Sequence, residues 1–262
     1  PAMGVRIGES WLVGAGVNFY YSEAELQRMV DMGMMAGMPG QMDARSTLTG
    51  DGTAWGFNVG TIYHLNARHS VGLVYHHAYT VDYDGDLDLA GVDMPINAEI
   101  DFPTSVVVGY GYRPNEKWIL EFNADWTYWD DVDDIRVDFD TPGVPDSMMA
   151  QGFENTMAYK FGAEYACSDE LALRCGYIYN ENATPEANWR PSLPDTDTHF
   201  VTAGFGWTRN RLTLDGTLQL VFYEDRTIDN NVDNNELMSS SSVDGKYETF
   251  APCFSLAATY MF

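Results

Sequence analysis

From residue 212 to residue 222 the chain alternates without a break. Leu212, Leu214, Gly216, Leu218, Leu220 and Phe222 fall on one side, and Thr213, Asp215, Thr217, Gln219 and Val221 fall on the other. The last stretch repeats the pattern with Phe254, Leu256, Ala258, Tyr260 and Phe262. A period of two marks a strand with two chemically different faces. The signature recurs along Trp11/Val13/Ala15/Val17/Phe19/Tyr21, Phe57/Val59/Thr61/Tyr63, Val71/Leu73/Tyr75/His77/Tyr79 and Val106/Val108/Tyr110/Tyr112. It continues along Trp118/Leu120/Phe122/Ala124/Trp126/Tyr128, Phe161/Ala163/Tyr165 and Val201/Ala203/Phe205/Trp207. The opposite faces offer Gly14, Gly16, Asn18, Asn58, Gly60, Gly72, His76, Glu121, Asn123, Asp125 and Asp215. Large apolar groups on one face with small or polar groups on the other reverse the pattern of a packed soluble core. The sequence therefore points to an all-β fold, an antiparallel transmembrane β-barrel that is apolar outside and wet inside.

Charge narrows the partners. With 14 Lys+Arg against 39 Asp+Glu, the net charge is −25. That excludes nucleic acid, whose phosphates need clustered cations. No run of about 18 apolar residues exists, which excludes a transmembrane helix but not a barrel. The acids gather at Asp82–Asp93, Asp130–Asp140 and Glu224–Glu236, between the apolar segments, and read as solvated loops. Asp82, Asp84, Asp86 and Asp88 alternate on one strand face, but Gly85 is misplaced for a calcium-binding EF-hand loop, and no metal ligand set is assigned. The three cysteines make no disulfide framework. Cys167 and Cys175 flank a tight turn at residues 168–170, and two readings stay open there: a cross-strand bridge, or two lipid-facing thiols. The chain opens at Pro1 with no charged-then-apolar leader, so a barrel reading makes it a fragment or a processed form.

The pattern gives strands near 3–8, 11–22, 50–64, 70–83, 97–112, 117–130, 156–167, 171–180, 198–208, 211–223 and 247–262, within a single barrel domain spanning 1–262. Short connections alternate with long ones at about 23–49, 84–96, 131–155, 181–197 and 224–246. Outer-membrane barrels pair short periplasmic turns with long extracellular loops in this way. Trp118 lies 8 to 10 residues from Trp126 and Tyr128, roughly 30 Å along a strand. Tilted by about 40°, that spacing projects to roughly 20–25 Å, the height of the apolar band between aromatic girdles. Phe262 then ends at the periplasm and residue 1 lies on the extracellular side. Because bacterial barrels have even strand numbers, an odd number of strands is expected before Pro1.

Four segments carry a family resemblance: 55–64 (WGFNVGTIYH) followed by 71–87 (VGLVYHHAYTVDYDGDL), 98–112 (AEIDFPTSVVVGYGY), 118–139 (WILEFNADWTYWDDVDDIRVDF) and 185–197 (PEANWRPSLPDTD). In order and spacing they resemble the C-terminal two-thirds of the FadL-type long-chain fatty acid transporters. The resemblance implies a 14-stranded barrel, about 11 of whose strands are present. It also implies passive uptake of fatty acids or other hydrophobic small molecules across the bacterial outer membrane, with capture by extracellular loops. The N-terminal hatch and the kinked exit strand of such proteins would precede Pro1.

Within that frame, residues 23–43 (EAELQRMVDMGMMAGMPGQMD) are the capture candidate. Leu26, Met29 and Val30 sit at helical spacing within 24–35, and Met32, Met34, Met35 and Met38 extend a polarizable surface able to mould to varied apolar ligands. Relatives often carry basic residues where this chain has Glu154, Ala158 and Thr198. The remaining candidate lumenal cations are Arg6, Lys160 and Arg174, with Arg190 in a loop, and the poorer cation set favours "hydrophobic compound" as the ligand description. His76, Glu121, Asp125, Lys160 and Arg174 are the expected polar lining. No Ser-His-Asp spacing, metal cluster or phosphate loop supports catalysis, so neither an enzyme nor a cofactor is expected. Expected partners are outer-membrane lipid and lipopolysaccharide, with the barrel-assembly machinery reading the C-terminal strand. A non-transporting surface barrel (adhesin- or receptor-like) or a general porin are the alternatives.

Overall fold

The computed structural model describes the chain except residues 36, 39–42, 133, 143–145, 192–193 and 231–243, and the side chains of residues 28, 34, 35 and 149. In chain order its strands are β1 (Ala2–Ile7), β2 (Trp11–Asp31), β3 (Asp43–His64), β4 (His69–His76), β5 (Tyr79–Leu89) and β6 (Val92–Phe102). Then come β7 (Ser105–Asn115), β8 (Trp118–Thr127), β9 (Ile135–Phe139), β10 (Ser147–Met149), β11 (Thr156–Ala166) and β12 (Leu171–Asn180). The last are β13 (Thr198–Arg209), β14 (Leu212–Tyr223), β15 (Arg226–Ile228), β16 (Gly245–Tyr247) and β17 (Phe250–Tyr260). Fifteen strands share one sheet, and β15 and β16 pair separately.

The wall is the antiparallel succession β1-β2-β3-β4-β7-β8-β11-β12-β13-β14-β17. These are the eleven strands expected from the alternation. Tight turns join β1 to β2, β3 to β4, β7 to β8, β11 to β12 and β13 to β14 at one end, and the long connections lie at the other. Register carries the faces across the wall. The row Leu120, Ala163, Cys175, Ala203, Leu218 and Phe254 runs through β8, β11, β12, β13, β14 and β17 on the outer side. Outer residues such as Val17, Phe57, Phe161, Phe205 and Leu256 are exposed, so the apolar face is uncovered by protein. The inner face, with Gly14, Asn58, Gly72, Gly109 and Asn123, lines a cavity of about 820 Å³.

Above the wall the structure departs from the expected loops. The β2/β3 hairpin continues to Asp31 and Asp43, and only Met32–Met35 forms a single helical turn. The helical spacing of Leu26, Met29 and Val30 is overruled by pairing, since all three lie on β2 opposite Leu48, Arg45 and Ala44. The expected 84–96 loop is likewise the β5/β6 hairpin, turned at Ala90 and Gly91 with φ 56° and 84°, the left-handed pair that a two-residue hairpin turn demands.

The upper half of β3 pairs with β5 and its lower half with β4. Between the ladders, residues 54–57 face residues 77–81, one residue more, so the strand bulges at His77–Ala78. Its neighbour breaks at Pro103–Thr104, where proline has no N–H to give to a ladder. The bulge exchanges the faces. Tyr79, expected on the outer side, turns inward and stacks between Tyr20 (4.1 Å) and Phe102 (4.8 Å).

Register also decides the cysteine question. Cys175 pairs across from Ala163, four residues before Cys167, which puts about 13 Å of strand between the two thiols. A disulfide needs Cα atoms within about 7 Å. Both cysteines are free.

Leu218 and Gln219 test the faces as adjacent residues on opposite sides. Leu218→Lys in the full-length protein is expected to destabilise folding into vesicles by about 2–4 kcal/mol, read by denaturant titration. Gln219→Lys should cost far less. Equal costs would refute the assigned faces.

Candidate functional site

The two faces exchange chemistry part-way up β2 and β3. On the lower outer side stand Val17, Phe19, Phe57 and Trp55, the last two levels closed by the Phe19–Trp55 ring pair at 4.9 Å. Higher on the same side come Glu23, Glu25, Asp51, Asp82, Asp84, Asp86 and Asp88, all exposed. The inner side does the reverse. Below are Gly14, Gly16 and Asn58, and above is a row in direct register, Leu26–Leu48–Leu87–Met94 across β2, β3, β5 and β6. The next rows bring Ile96 beside Phe139, and Tyr83 beside Ala98 and Val137. We call this raised sheet the canopy.

Its base is packed and its rim is open. Val81 is 1% exposed, and with Tyr83 and Ala54 it forms a core onto which Tyr20, Tyr79, Ile100 and Phe102 pack. Close approach of β3 and β5 explains Gly85, where a Cβ would sit 1.9 Å from the Thr49 carbonyl oxygen. Toward the rim Leu48, Leu87 and Met94 are half-buried, and Leu26 is 49% exposed. An apolar surface this open, on a sheet whose other side carries the carboxylates, is suited to receiving an apolar ligand.

The expected capture residues do not form one helical face. Leu26 and Val30 share the inner side with the leucine row, whereas Met29, 60% exposed, lies on the other side of β2. Met32 is half-buried in the helical turn and Met38 is exposed beyond it. Met34 and Met35 belong to the turn, their side chains lying outside the described residues. Leu48, Leu87 and Met94 escaped the sequence reading. The alternation of Leu87 and Leu89 with Asp84, Asp86 and Asp88 was the available signal.

Below, the expected polar lining is grouped by ion pairing. Lys160 pairs with Asp125. Arg174 donates to Glu164 (2.7 Å) and to Asp215 (2.8 Å), reaching over β13 where a Cβ on Gly206 would come within 3.0 Å of its guanidinium. Glu121 accepts from the Asn123 amide at 2.9 Å. His76 stands on the same side, in register with Asn58 and Ser105. The lumenal cations Lys160 and Arg174 are thus already neutralised by the wall's own carboxylates.

A second assembly ties the long connections over β11–β14. Asp197 accepts from Tyr179 Oη (2.6 Å) and from the backbone and side-chain nitrogens of Asn182 (2.9 and 2.5 Å). Asp195 accepts from the Ala183 and Thr184 amides at 2.7 and 3.0 Å. Arg226 donates to the carbonyls of Asp195 (2.7 Å) and Thr184 (2.6 Å) and to Asn182 Oδ1. Trp189, 2% exposed, donates to the Asp195 carbonyl and packs on Tyr247 at 4.3 Å. Trp189, Asp195 and Asp197, from one of the segments carrying the resemblance, thus form a lock between loops. Most of the acidic 229–244 tip lies outside the described residues.

The family described as outer membrane protein transport protein (OMPP1/FadL/TodX) matches residues 1–262. The chain belongs to that family. Among curated relatives, the long-chain fatty acid transport protein of Escherichia coli is 23% identical over 246 residues, covering 79% of this chain and 55% of the relative. The 47 kDa outer membrane protein of Pasteurella multocida is 24% identical over 177 residues, covering 61% and 41%. The chain spans about half the length of the curated relatives it matches. Among solved structures, a Pseudomonas aeruginosa FadL homologue superposes with TM-score 0.85 at 20% identity, over 99% of this chain and 66% of that one. The Ralstonia pickettii toluene transporter TbuX gives 0.65 at 16%, over 86% and 61%. At these identities the likeness shows the fold, an outer-membrane β-barrel.

Two outcomes follow for the loop lock. Burial pushes the Asp197 carboxyl up, but the hydrogen bonds from Tyr179 and Asn182 outweigh it and hold it below its ordinary range. Its stabilising effect is therefore present above about pH 4 and is lost as pH falls through the depressed value. Hydrogen exchange at the Asn182 amide should accelerate on acidification in that window, and Asp197→Asn should abolish the dependence. Arg226→Met strands two carbonyls and should cost about 2 kcal/mol locally, seen as faster exchange at Ala183 and Thr184 with the wall unaffected.

Proposed function

We propose that this chain supplies wall and mouth of a channel for passive uptake of hydrophobic small molecules, and that it is not an enzyme. The observation that carries this reading is the exchange of faces. Lipid requires an apolar outer wall and accepts a polar lumen. Above the lipid that need ends, yet the inner face becomes apolar there while the outer face becomes acidic. An apolar lining in the aqueous zone is unfavourable unless something apolar covers it, and a ligand entering the channel is the occupant that a transport family supplies. In this reading the long-loop end is extracellular, the C-terminus is periplasmic, and the acidic outer side of the canopy stands among lipopolysaccharide headgroups. The aromatic strand ending at Phe262 is taken to be the signal for the assembly machinery.

The ligand class is set broadly. Long-chain fatty acids and neutral hydrocarbons both fit a leucine and methionine surface, whose compliance does not depend on one shape. The pairing of Lys160 and Arg174 with carboxylates favours "hydrophobic compound" as the description, with fatty acids as one example.

Replacing Leu48 and Leu87 with Ser should lower uptake of a labelled hydrophobic compound several-fold at low concentration, in cells carrying the full-length protein, while surface amounts stay normal. Serine at Met32, Met34 and Met35 should act more weakly, because those residues belong to the helical turn and not to the strands that carry the leucine row. Uptake unchanged by both sets would overturn the capture role of this region.

A further inference from the structure

We propose that the outer face of the wall seats a phospholipid with an anionic headgroup at the short-turn end. Its phosphate lies at Arg68 and His69, and one acyl chain lies in a groove across β2, β3, β4 and β7. The site needs only the barrel wall in a bilayer, whatever the channel carries.

Charge is divided unevenly along the molecule. The short-turn segments 6–11, 64–70, 112–118, 166–171 and 208–212 hold six of the 14 basic residues and four of the 39 acidic ones, a net of +2. The rest of the chain holds eight and 35, a net of −27. An anionic headgroup is therefore repelled by most of this molecule and accepted at one end. Arg68, Arg113 and Lys117 are exposed there in neighbouring turns. The Arg113 amide donates to the Arg68 carbonyl at 2.8 Å, which joins those turns.

Aromatic residues set the height. Trp11 and Tyr63 stand in direct register on the outer side, as do Trp118 and Tyr165, and such belts mark the boundary between hydrocarbon and headgroups. Tyr63 pairs with Val71. His69 lies two residues further toward the turn, about 7 Å along the strand, at the level of lipid phosphates. Its ring is held in place: Nδ1 meets Tyr110 Oη at 2.5 Å, and the ring stacks on Tyr112 with centroids 4.6 Å apart. Nε2 is the polar atom left over, and with Tyr110 donating it carries the proton that a phosphate oxygen accepts. Asn66 Oδ1 accepts from the amides of Arg68 (2.8 Å) and His69 (3.1 Å), which fixes both backbones. A guanidinium beside that ring adds charge-assisted hydrogen bonds to phosphate.

From Val71 upward the outer face is hollow. Trp11, Thr61, Tyr63, Val71, Leu73 and Val108 line a groove of about 550 Å³. The Thr61 hydroxyl in it accepts from Trp11 Nε1 at 2.5 Å and donates to the Leu12 carbonyl at 2.9 Å, so it asks nothing of an occupant. The groove continues the lipid-facing surface of the wall, which makes an acyl chain its occupant. A chain lying there leaves its headgroup beside His69 and Arg68, and the charge of that end selects an anionic one.

The test is native mass spectrometry of the full-length protein in detergent, titrated with phosphatidylglycerol or phosphatidylcholine of identical acyl chains. The first lipid retained should favour phosphatidylglycerol roughly fivefold, the factor for one cation at an anionic lipid surface. Arg68→Gln/His69→Gln should bring the two lipids to parity with phosphatidylcholine binding unchanged, and Arg68→Lys should keep the preference. The remote pair Arg209→Gln/Arg211→Gln should leave it intact. Val71→Trp, which fills the groove, should weaken both lipids. More ammonium acetate should shrink the preference alone. Parity in the wild type, or a preference surviving Arg68→Gln/His69→Gln, would overturn the headgroup seat. Loss of both lipids in that double variant would also overturn it, assigning the pair to the packing of the wall. Normal binding of both lipids by Val71→Trp would overturn the groove. Wild-type protein that keeps the lipid but takes up no labelled hydrophobic compound would overturn the channel reading and not this site.

Discussion

The backbone hydrogen-bond ladder is the constraint on which everything else depends. In lipid no water completes an unpaired amide, so each wall strand must be paired along its membrane-spanning length. Neighbour-to-neighbour register answers that need for every wall strand between the two edge strands β1 and β17. Once the ladder is fixed, side chains have only two directions, and every later choice is about which chemistry goes to which side. Glycines and small polar residues then suit the inside, where strand backbones face water, and bulky apolar residues suit the outside.

Above the lipid the same ladder continues under different rules. Nothing there demands an apolar exterior, and Glu23, Asp51 and Asp84 stand in direct register on neighbouring strands. Like charges across a ladder destabilise it. The apolar core at Val81 and Tyr83, with the Tyr20–Tyr79–Phe102 stack beneath, offsets that repulsion from the opposite face. The canopy is thus held by its lining, and the surface proposed to receive a ligand is continuous with the surface that keeps the sheet folded. The lock around Asp197 and Arg226 works differently. It binds loops through carboxylate and guanidinium contacts to backbone groups, which fix geometry without needing an apolar face.

Much of the wall was legible because period two survives averaging over a whole strand. The faces of β2, β8, β13 and β14 follow from sequence alone. Tyr79 did not, because a bulge is a property of pairing: its neighbours 54–57 must be counted against 77–81 before the extra residue is visible. Leu26, Met29 and Val30 satisfy helical spacing, and only the partner strand at Ala44–Leu48 decides against it. Alternation gives the direction in which Glu121, Asp125 and Asp215 point, but it does not give their pairing. Glu164 and Asp215 reach Arg174 from β11 and β14, separations in sequence that no local motif reports.

The bulge at His77–Ala78 has a consequence for how such a protein diversifies. Substitutions alter a surface one side chain at a time, but here a single residue of chain length decides which whole face of β5 looks inward. Removing it would present Asp82, Asp84 and Asp86 to the channel and send Val81 and Tyr83 outward. Insertions and deletions at this height therefore act as coarse steps in mouth chemistry, while the wall beneath keeps its register and its fit to the membrane.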